Sequence, residues 1–320
     1  MVGLLAYSAA LAAASRGLEV TTHGPHGSLA GTYESSGSGK HAAVAVIIPG
    51  SGPTDRDGNN PLGVKAQPYR LLAEALAKRG IASVRIDKRG MFASRTAISD
   101  ANDATIADYA ADARAWARLA AKQSGKSCAW LIGHSEGGLV ALVAAQDKAA
   151  ICGIVLVSVP GRPIGTVMRD QFKANPANAP ILAPALAMLD GLEAGRTTDP
   201  AALPAPLDKL FSLRAQRFLI AEMRYDPAEL VRQAKVPVAI VQGDADLQVG
   251  VDDARRLASA RTDARLTIVP GVNHVLKHPA SPDRMANMQS YADPAMAIDT
   301  AVVDAVAAAL NPKATGRKTR

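Results

Sequence analysis

Residues 131–138 read Leu131-Ile132-Gly133-His134-Ser135-Glu136-Gly137-Gly138, an apolar run that closes on Gly-x-Ser-x-Gly and opens into a helix-forming stretch. Upstream, Cys128 to Ile132 is a short apolar strand; downstream, Gly137 to Ala149 is rich in Ala, Leu and Val and has no proline. The pattern is a strand, a sharp turn and a helix, with glycines where a Cβ would collide with neighbouring backbone. Such a turn exposes the Ser135 hydroxyl. It also sets the Glu136 N–H at the positive end of the following helix, ready for an oxyanion. Alone, the pentapeptide is an ordinary glycine-rich turn; in this context Ser135 reads as a nucleophile.

A serine hydroxyl is a weak nucleophile until a base takes its proton, and that base needs a carboxylate to hold its tautomer. At nucleophile elbows these partners follow in the chain order Ser, Asp or Glu, His, each after a strand of the same sheet. Val236 to Val241 reads as a buried parallel strand and ends in Gln-Gly-Asp-Ala-Asp, offering Asp244 and Asp246. Arg265 to Val269 is a further strand, ending in Pro-Gly-Val-Asn-His and offering His274. Of the six histidines, His23, His26 and His41 lie at or before the first strands, His278 sits on a polar loop, and His134 lies beside the nucleophile rather than across from it. Position singles out His274. Asp246 is favoured over Asp244, since two more residues carry the chain past the strand end; Asp244 then braces the loop.

An apolar strand from Ala43 runs into Ile47-Ile48-Pro49-Gly50-Ser51-Gly52-Pro53. A second oxyanion donor comes from the loop after the third strand in such sheets, which assigns it to the Ser51 N–H. The plain alternative is a type II turn of Gly and Pro. Asp55-Arg56-Asp57 and Asp87-Lys88-Arg89 carry opposite charges in two loops expected near one another, where ion pairs would fix the oxyanion loop.

These segments together resemble the α/β-hydrolase serine esterases of the group that carries Gly-Ser-Gly-Pro-x-Asp-Arg-Asp-Gly-Asn, here Gly50 to Asn59. Arg85-Ile-Asp-Lys-Arg-Gly90, Gly133-His-Ser-Glu-Gly137, Gly243-Asp-Ala-Asp246 and Asn273-His274 agree with it, so the likeness runs from about Leu18 to Pro312. The resemblance implies carboxylesterase activity without cofactor or metal. One departure is Met91-Phe92-Ala93-Ser94, where the family commonly continues Gly-x-Gly-x-Ser.

Leu18 to Thr22 and Ser28 to Glu34 read as an antiparallel opening pair, and Pro68 to Lys78 as a helix before the strand Ile81 to Ile86. Ile106, Tyr109, Ala113, Trp116 and Ala120 recur at helical spacing, which makes Trp116 core. Ile151 to Val159 is a further apolar strand, and Ala295 to Leu310 the last helix. The expected architecture is an eight-stranded, mostly parallel α/β-hydrolase sheet flanked by helices (17–160 and 233–312), with a helical cap (161–232) inserted after strand six. Prolines 163, 176, 180, 184, 200, 204 and 206 break that insert into short helices. Phe172, Leu186, Met188, Phe211, Phe218 and Met223 are its candidate acyl-pocket residues.

At 320 residues, 48% apolar and 20% charged, the composition is globular. Much of the +7 formal charge comes from Lys313, Arg317, Lys318 and Arg320, in a tail (313–320) read as disordered and solvated. With no recognition helix or aromatic-basic interleaving, nucleic acid is not expected as a partner, nor is stable membrane insertion; a small-molecule ester is. Residues 1–16 are a signal-like or amphipathic segment without a basic start, which favours export slightly and otherwise leaves a cytoplasmic enzyme. Cys128 and Cys152 begin adjacent strands and are expected as buried thiols rather than a disulfide. Rival readings keep the mechanism and change the bond to a peptide, thioester or lactone, with Glu222 or Asp190 available to an aminopeptidase for the substrate ammonium; a non-catalytic binding protein is a third.

Overall fold

A computed structural model describes residues 17–24, 27–37, 42–147, 149–281 and 283–311. The expected N-terminal segment and basic tail, with His26 and His41, lie outside the described residues. The chain opens with β1 (Leu18–Gly24), β2 (Gly27–Glu34) and β3 (Ala43–Ile48), then alternates α1 (Pro68–Ala77), β4 (Ile81–Ile86), α2 (Ile106–Gln123), β5 (Ala129–His134), α3 (Glu136–Ala144) and β6 (Ile151–Val157). Five helices follow before the next strand: α4 (Ile164–Ala174), α5 (Leu182–Glu193), α6 (Leu207–Leu210), α7 (Leu213–Glu222) and α8 (Pro227–Gln233). The sheet resumes with β7 (Val238–Gly243), α9 (Val251–Ala260) and β8 (Arg265–Val269), and the chain closes with α10 (Arg284–Gln289) and α11 (Thr300–Leu310).

The eight strands form one sheet in the order β1-β2-β4-β3-β5-β6-β7-β8. β2 pairs antiparallel with both β1 and β4, and every other pairing is parallel. The continuous apolar runs of β3, β4 and β5 have a simple cause: every residue of these strands is buried, because helices cover both faces. Alternate side chains divide between two cores. Val44, Val46, Ile48 and Leu131 pack under α2 and α3, where Trp116 is fully buried as expected. Ala45, Ile47, Ile132 and Val155 pack under α1 and α11. The Thr105 hydroxyl and the Asp108 carboxylate cap the start of α2 reciprocally, which fixes where that helix begins.

Element ends differ from expectation where backbone chemistry intervenes. β7 starts at Val238 rather than Val236 because Pro237 has no N–H for the ladder, although its carbonyl accepts from Ile154 N at 2.9 Å. The last helix starts at Thr300, not Ala295, because the Asp299 side chain caps it by accepting from Ala301 N at 2.7 Å. The cysteines are a correction: Cys128 and Cys152 form a disulfide, with Cα atoms 5.3 Å apart. The register of β5 against β6 shifts between Ala129 and Trp130, leaving Cys152 as the extra residue opposite that step and within bridging reach of Cys128. Closing a loop of 24 residues restricts the unfolded chain by about 3.5 kcal/mol in the chain-entropy treatment.

The insert between β6 and β7 is the expected helical cap. It has a small core of its own, built from Ala185, Met188, Leu189, Leu192, Leu207 and Phe211. Arg162 anchors its entry: Nε and Nη2 donate to the two oxygens of buried Asp253 on α9 at 2.9 and 2.8 Å, and Gly161 N donates to the same carboxylate. Among the described residues, no helix is long and apolar enough to cross a membrane.

Candidate active site

Ser135 sits between β5 and α3 at φ 53°, ψ −125°, a backbone conformation that L-residues rarely adopt. Surrounding glycines let the neighbouring chain close on it. A Cβ on Gly133 would lie 2.3 Å from the Gly137 carbonyl oxygen, and one on Gly137 would lie 2.3 Å from the Ile48 carbonyl oxygen. The turn thus presses the start of α3 against the end of β3 and aims Ser135 out of the sheet. Gly50 also lies against the elbow, since a Cβ there would stand 3.2 Å from the Ser135 Cβ.

The loop after β3 is clamped at Gly50 from both sides. Gly50 N donates to the Tyr69 hydroxyl at 3.0 Å, and the Gly50 carbonyl accepts from Lys88 Nζ at 2.7 Å. That carbonyl belongs to the same planar peptide as the Ser51 N–H, so Lys88 fixes the direction in which Ser51 N–H points. Lys88 also pairs with Glu136 Oε1 at 3.2 Å and stands 5.4 Å from the centre of the Tyr109 ring. The charged loops act as expected: Arg56 holds Asp87 through Nε (3.1 Å) and Nη2 (2.7 Å), Arg85 pairs with Asp57, and Arg89 is bonded twice to Asp112. The departure at 91–94 is absorbed locally. Gly90 turns at φ 79°, Phe92 at φ 47°, and Ser94 Oγ donates to the Asp87 carbonyl while accepting from Ala30 N.

His274 and Asp246 meet as the chain order predicts, with Nδ1 2.8 Å from Oδ2. Four donors converge on the carboxylate: His274 and Gln242 Nε2 (3.4 Å) on Oδ2, and the N–H groups of Gln248 (2.8 Å) and Val249 (3.0 Å) on Oδ1. Burial by itself would raise this acid, but the His274 ring and those donors together hold it below the usual carboxylate range. Asp244 braces the neighbouring loop by accepting from Gly271 N at 2.6 Å. The turn carrying His274 is held by buried Asn273, which donates to Ser290 Oγ at 2.6 Å and accepts from Lys277 N. His278 is exposed beside Asp299, and His23 is exposed in β1. Ser135 Oγ makes no hydrogen bond to the His274 ring among the described residues, which is usual at resting serine sites whose contacts tighten around substrate.

Sequence reasoning passed over His134 and Tyr69. His134 Nε2 lies 2.8 Å from the His274 carbonyl oxygen and can only donate there, so its Nδ1 accepts, at 2.8 Å, from the Tyr69 hydroxyl. That hydroxyl in turn accepts from Gly50 N. Burial, reinforced by nearby His274, pushes His134 down to about 3, so the ring is neutral and this single proton order is maintained. The relay ties the loop after β3, the elbow and the His274 turn into one unit. Replacing Tyr69 by phenylalanine strands a buried donor and a buried acceptor. The expected result is a loss of roughly 1–3 kcal/mol in urea unfolding, with turnover reduced by about tenfold or more through misplacement of the loop. Unchanged stability and rate would remove the relay from the account.

A cavity of about 600 Å³ opens beside Ser135, Ser51 and Glu136, under the cap. Phe172, Phe211 and Phe218 line it as expected; Leu186, Met188 and Met223 do not. The correction follows from how α5 and the end of α7 are turned. Met188 packs in the cap's own core, Met223 packs against that core, and half-buried Leu186 stays off the cavity wall. Val167 and Met168 on α4 and Leu219 on α7 supply apolar wall instead. Of the two cap carboxylates offered for a substrate ammonium, Asp190 is exposed and paired with Arg169 at 2.6 Å, whereas Glu222 is buried and lines the cavity.

Comparisons with known proteins bear on the family and the fold. The family model described as serine aminopeptidase, S33 (Hydrolase_4) matches residues 62–278. Among curated proteins, the esterase EstD of Thermotoga maritima is 26% identical over 252 residues, which is 75% of this chain and 56% of that protein. The chain therefore spans just over half the length of that curated relative. Among solved structures, Est1E from Butyrivibrio proteoclasticus with ferulic acid bound superposes with a TM-score of 0.55 at 16% identity, over 85% of this chain and 96% of its own. The Pyrococcus furiosus esterase Pf2001 gives a TM-score of 0.54 at 17% identity, over 80% and 83%. At such identities the likeness establishes the α/β-hydrolase fold and says nothing of substrates.

Proposed function

The chain belongs to the serine aminopeptidase S33 family, and from that membership and the site geometry we propose that it is a serine carboxylesterase for small to medium acyl esters. The observation that carries the reading is the convergence on one cavity of Ser135 in its elbow conformation, the N-terminus of α3 and the Lys88-clamped loop at Ser51, with the His274–Asp246 pair adjoining. In the proposed cycle His274 takes the Ser135 proton as Oγ attacks the ester carbonyl. The N–H groups of Ser51 and Glu136 receive the oxyanion; Glu136 N–H, at the first position of α3, has no helical acceptor of its own. His274 then protonates the leaving alcohol, and water repeats the sequence on the acyl-enzyme. Asp246 holds the imidazole tautomer throughout, and removing one oxyanion donor would cost about 3 kcal/mol of barrier.

One observation favours a second reading, hydrolysis of an amino-bearing substrate by an aminopeptidase: buried Glu222 lies in the cavity wall. Thioesters and lactones fit the same machinery without a feature that selects them. The test is initial rates on p-nitrophenyl esters from acetate to palmitate beside aminoacyl p-nitroanilides. The expected outcome is turnover of short and medium acyl esters that declines toward palmitate, in keeping with a cavity of about 600 Å³ under the cap. Anilide hydrolysis without ester turnover would replace the esterase with the peptidase.

A further inference from the structure

Glu222 is the last residue of α7 and is 4% exposed. Its carboxyl borders the cavity that Ser135 faces, yet it has no hydrogen-bond partner among the described residues. Its oxygens are not sealed off from the cavity, so they stand where a bound ligand can meet them and no protein group among the described residues competes for them. Nearby cations do not supply it. Lys88 is already committed to Glu136 and the Gly50 carbonyl, and Arg162 to Asp253 and Asp170. Tyr109 and Tyr225 are the other titratable groups on the cavity wall. An ionised Glu222 would be a second carboxylate beside the Lys88–Glu136 pair with no cation of its own. It would also stand at the negative end of a helix of ten residues. Burial, with repulsion from Glu136 and against the pull of Lys88, pushes this carboxyl well above the usual range. A protonated carboxyl is a hydrogen-bond donor, and what it needs is an acceptor oxygen.

We propose that Glu222 is a specificity-determining residue that donates a hydrogen bond from its carboxyl to an oxygen on the bound acyl group, so that keto- and alkoxy-acyl esters are preferred to plain alkyl esters of equal length. The inference rests on the esterase reading above and names a substrate class for it. The probes are p-nitrophenyl pentanoate and hexanoate, their oxo- and oxa-substituted analogues with the oxygen at each chain position, and p-nitrophenyl 5-aminopentanoate. The quantity read is the ratio of kcat/KM for each substituted ester to that of its alkyl counterpart. Wild type is expected to favour at least one oxygenated ester by about tenfold, a single net hydrogen bond. Glu222→Gln keeps a donor and retains the preference, whereas Glu222→Leu brings the ratio to about one. Raising the pH until Glu222 ionises should erase the preference in wild type but not in Glu222→Gln, which tests the idea even if the leucine variant fails to fold. An unchanged ratio in Glu222→Leu overturns the proposal. So does a preference for the amino ester that both variants lose, since that is a carboxylate reading a cation. Alkyl turnover with no preference for any oxygenated ester defeats this proposal alone. Absence of turnover on every ester, with Ser135 still labelled by a fluorophosphonate, brings down the esterase reading and this proposal with it.

Discussion

Ser135→Ala is expected to lose ester hydrolysis by on the order of 10⁶-fold in kcat, the largest effect of any single substitution in this chain. Without Oγ no acyl-enzyme forms, and only the oxyanion donors and the cavity remain to assist attack by water. The fold should not notice. Alanine keeps the Cβ that already tolerates φ 53°, and the hydroxyl it removes makes no hydrogen bond among the described residues, so stability should change by no more than about 0.5 kcal/mol. The clean experiment pairs three readings on one preparation: initial rate on the best p-nitrophenyl ester, the urea midpoint, and intact mass after a fluorophosphonate. Wild type should gain the mass of one phosphonyl group and lose activity in parallel; the variant should show neither. Labelling or turnover that survives in the alanine variant would reassign the nucleophile, and the proposed mechanism would fall with it.

The parts legible in the sequence are those that local chemistry determines. β3, β4 and β5 are buried on both faces, so their residues are apolar without interruption and the strands stand out as runs. The elbow is legible because only glycine fits at 133 and 137, where backbone approaches to 2.3 Å of a would-be Cβ. Asp246 and His274 follow from chain order once β7 and β8 are placed. What sequence did not yield depends on how elements are turned against one another. Met188 and Phe211 are both apolar cap residues, but only Phe211 reaches the cavity wall as well as the cap core. The disulfide hinges on a one-residue register shift beside Trp130, invisible to periodicity. Tyr69 has the spacing of an ordinary core residue on α1, and its role arises because the hydroxyl ends between Gly50 and His134, residues from two other segments.

Asp246→Asn is expected to cost about 10⁴-fold in kcat while leaving KM nearly unchanged, by a change of tautomer rather than of shape. Both carboxylate oxygens accept: Oδ1 from the backbone N–H groups of Gln248 and Val249, Oδ2 from His274 Nδ1 and Gln242 Nε2. An asparagine has one oxygen to offer. If it faces the two backbone donors, its amide NH₂ points at His274, and the ring must accept at Nδ1 and carry its proton on Nε2, the nitrogen needed to take the Ser135 proton. If it turns over, the NH₂ meets the backbone N–H groups of Gln248 and Val249 and leaves them without their acceptor, which costs stability instead. The first arrangement leaves a folded and nearly inert protein. The pH dependence has a definite sign. Since the folded protein holds the Asp246 acid below its ordinary range, its contribution to stability is present above the unfolded pKa and is lost as pH falls through the lower, folded value. The stability gap between wild type and Asp246→Asn should therefore be widest near neutrality and narrow on acidification, measured by urea unfolding across that range. Activity within tenfold of wild type would point away from this carboxylate, and Asp244, which braces Gly271 one turn away, would be the residue to replace next.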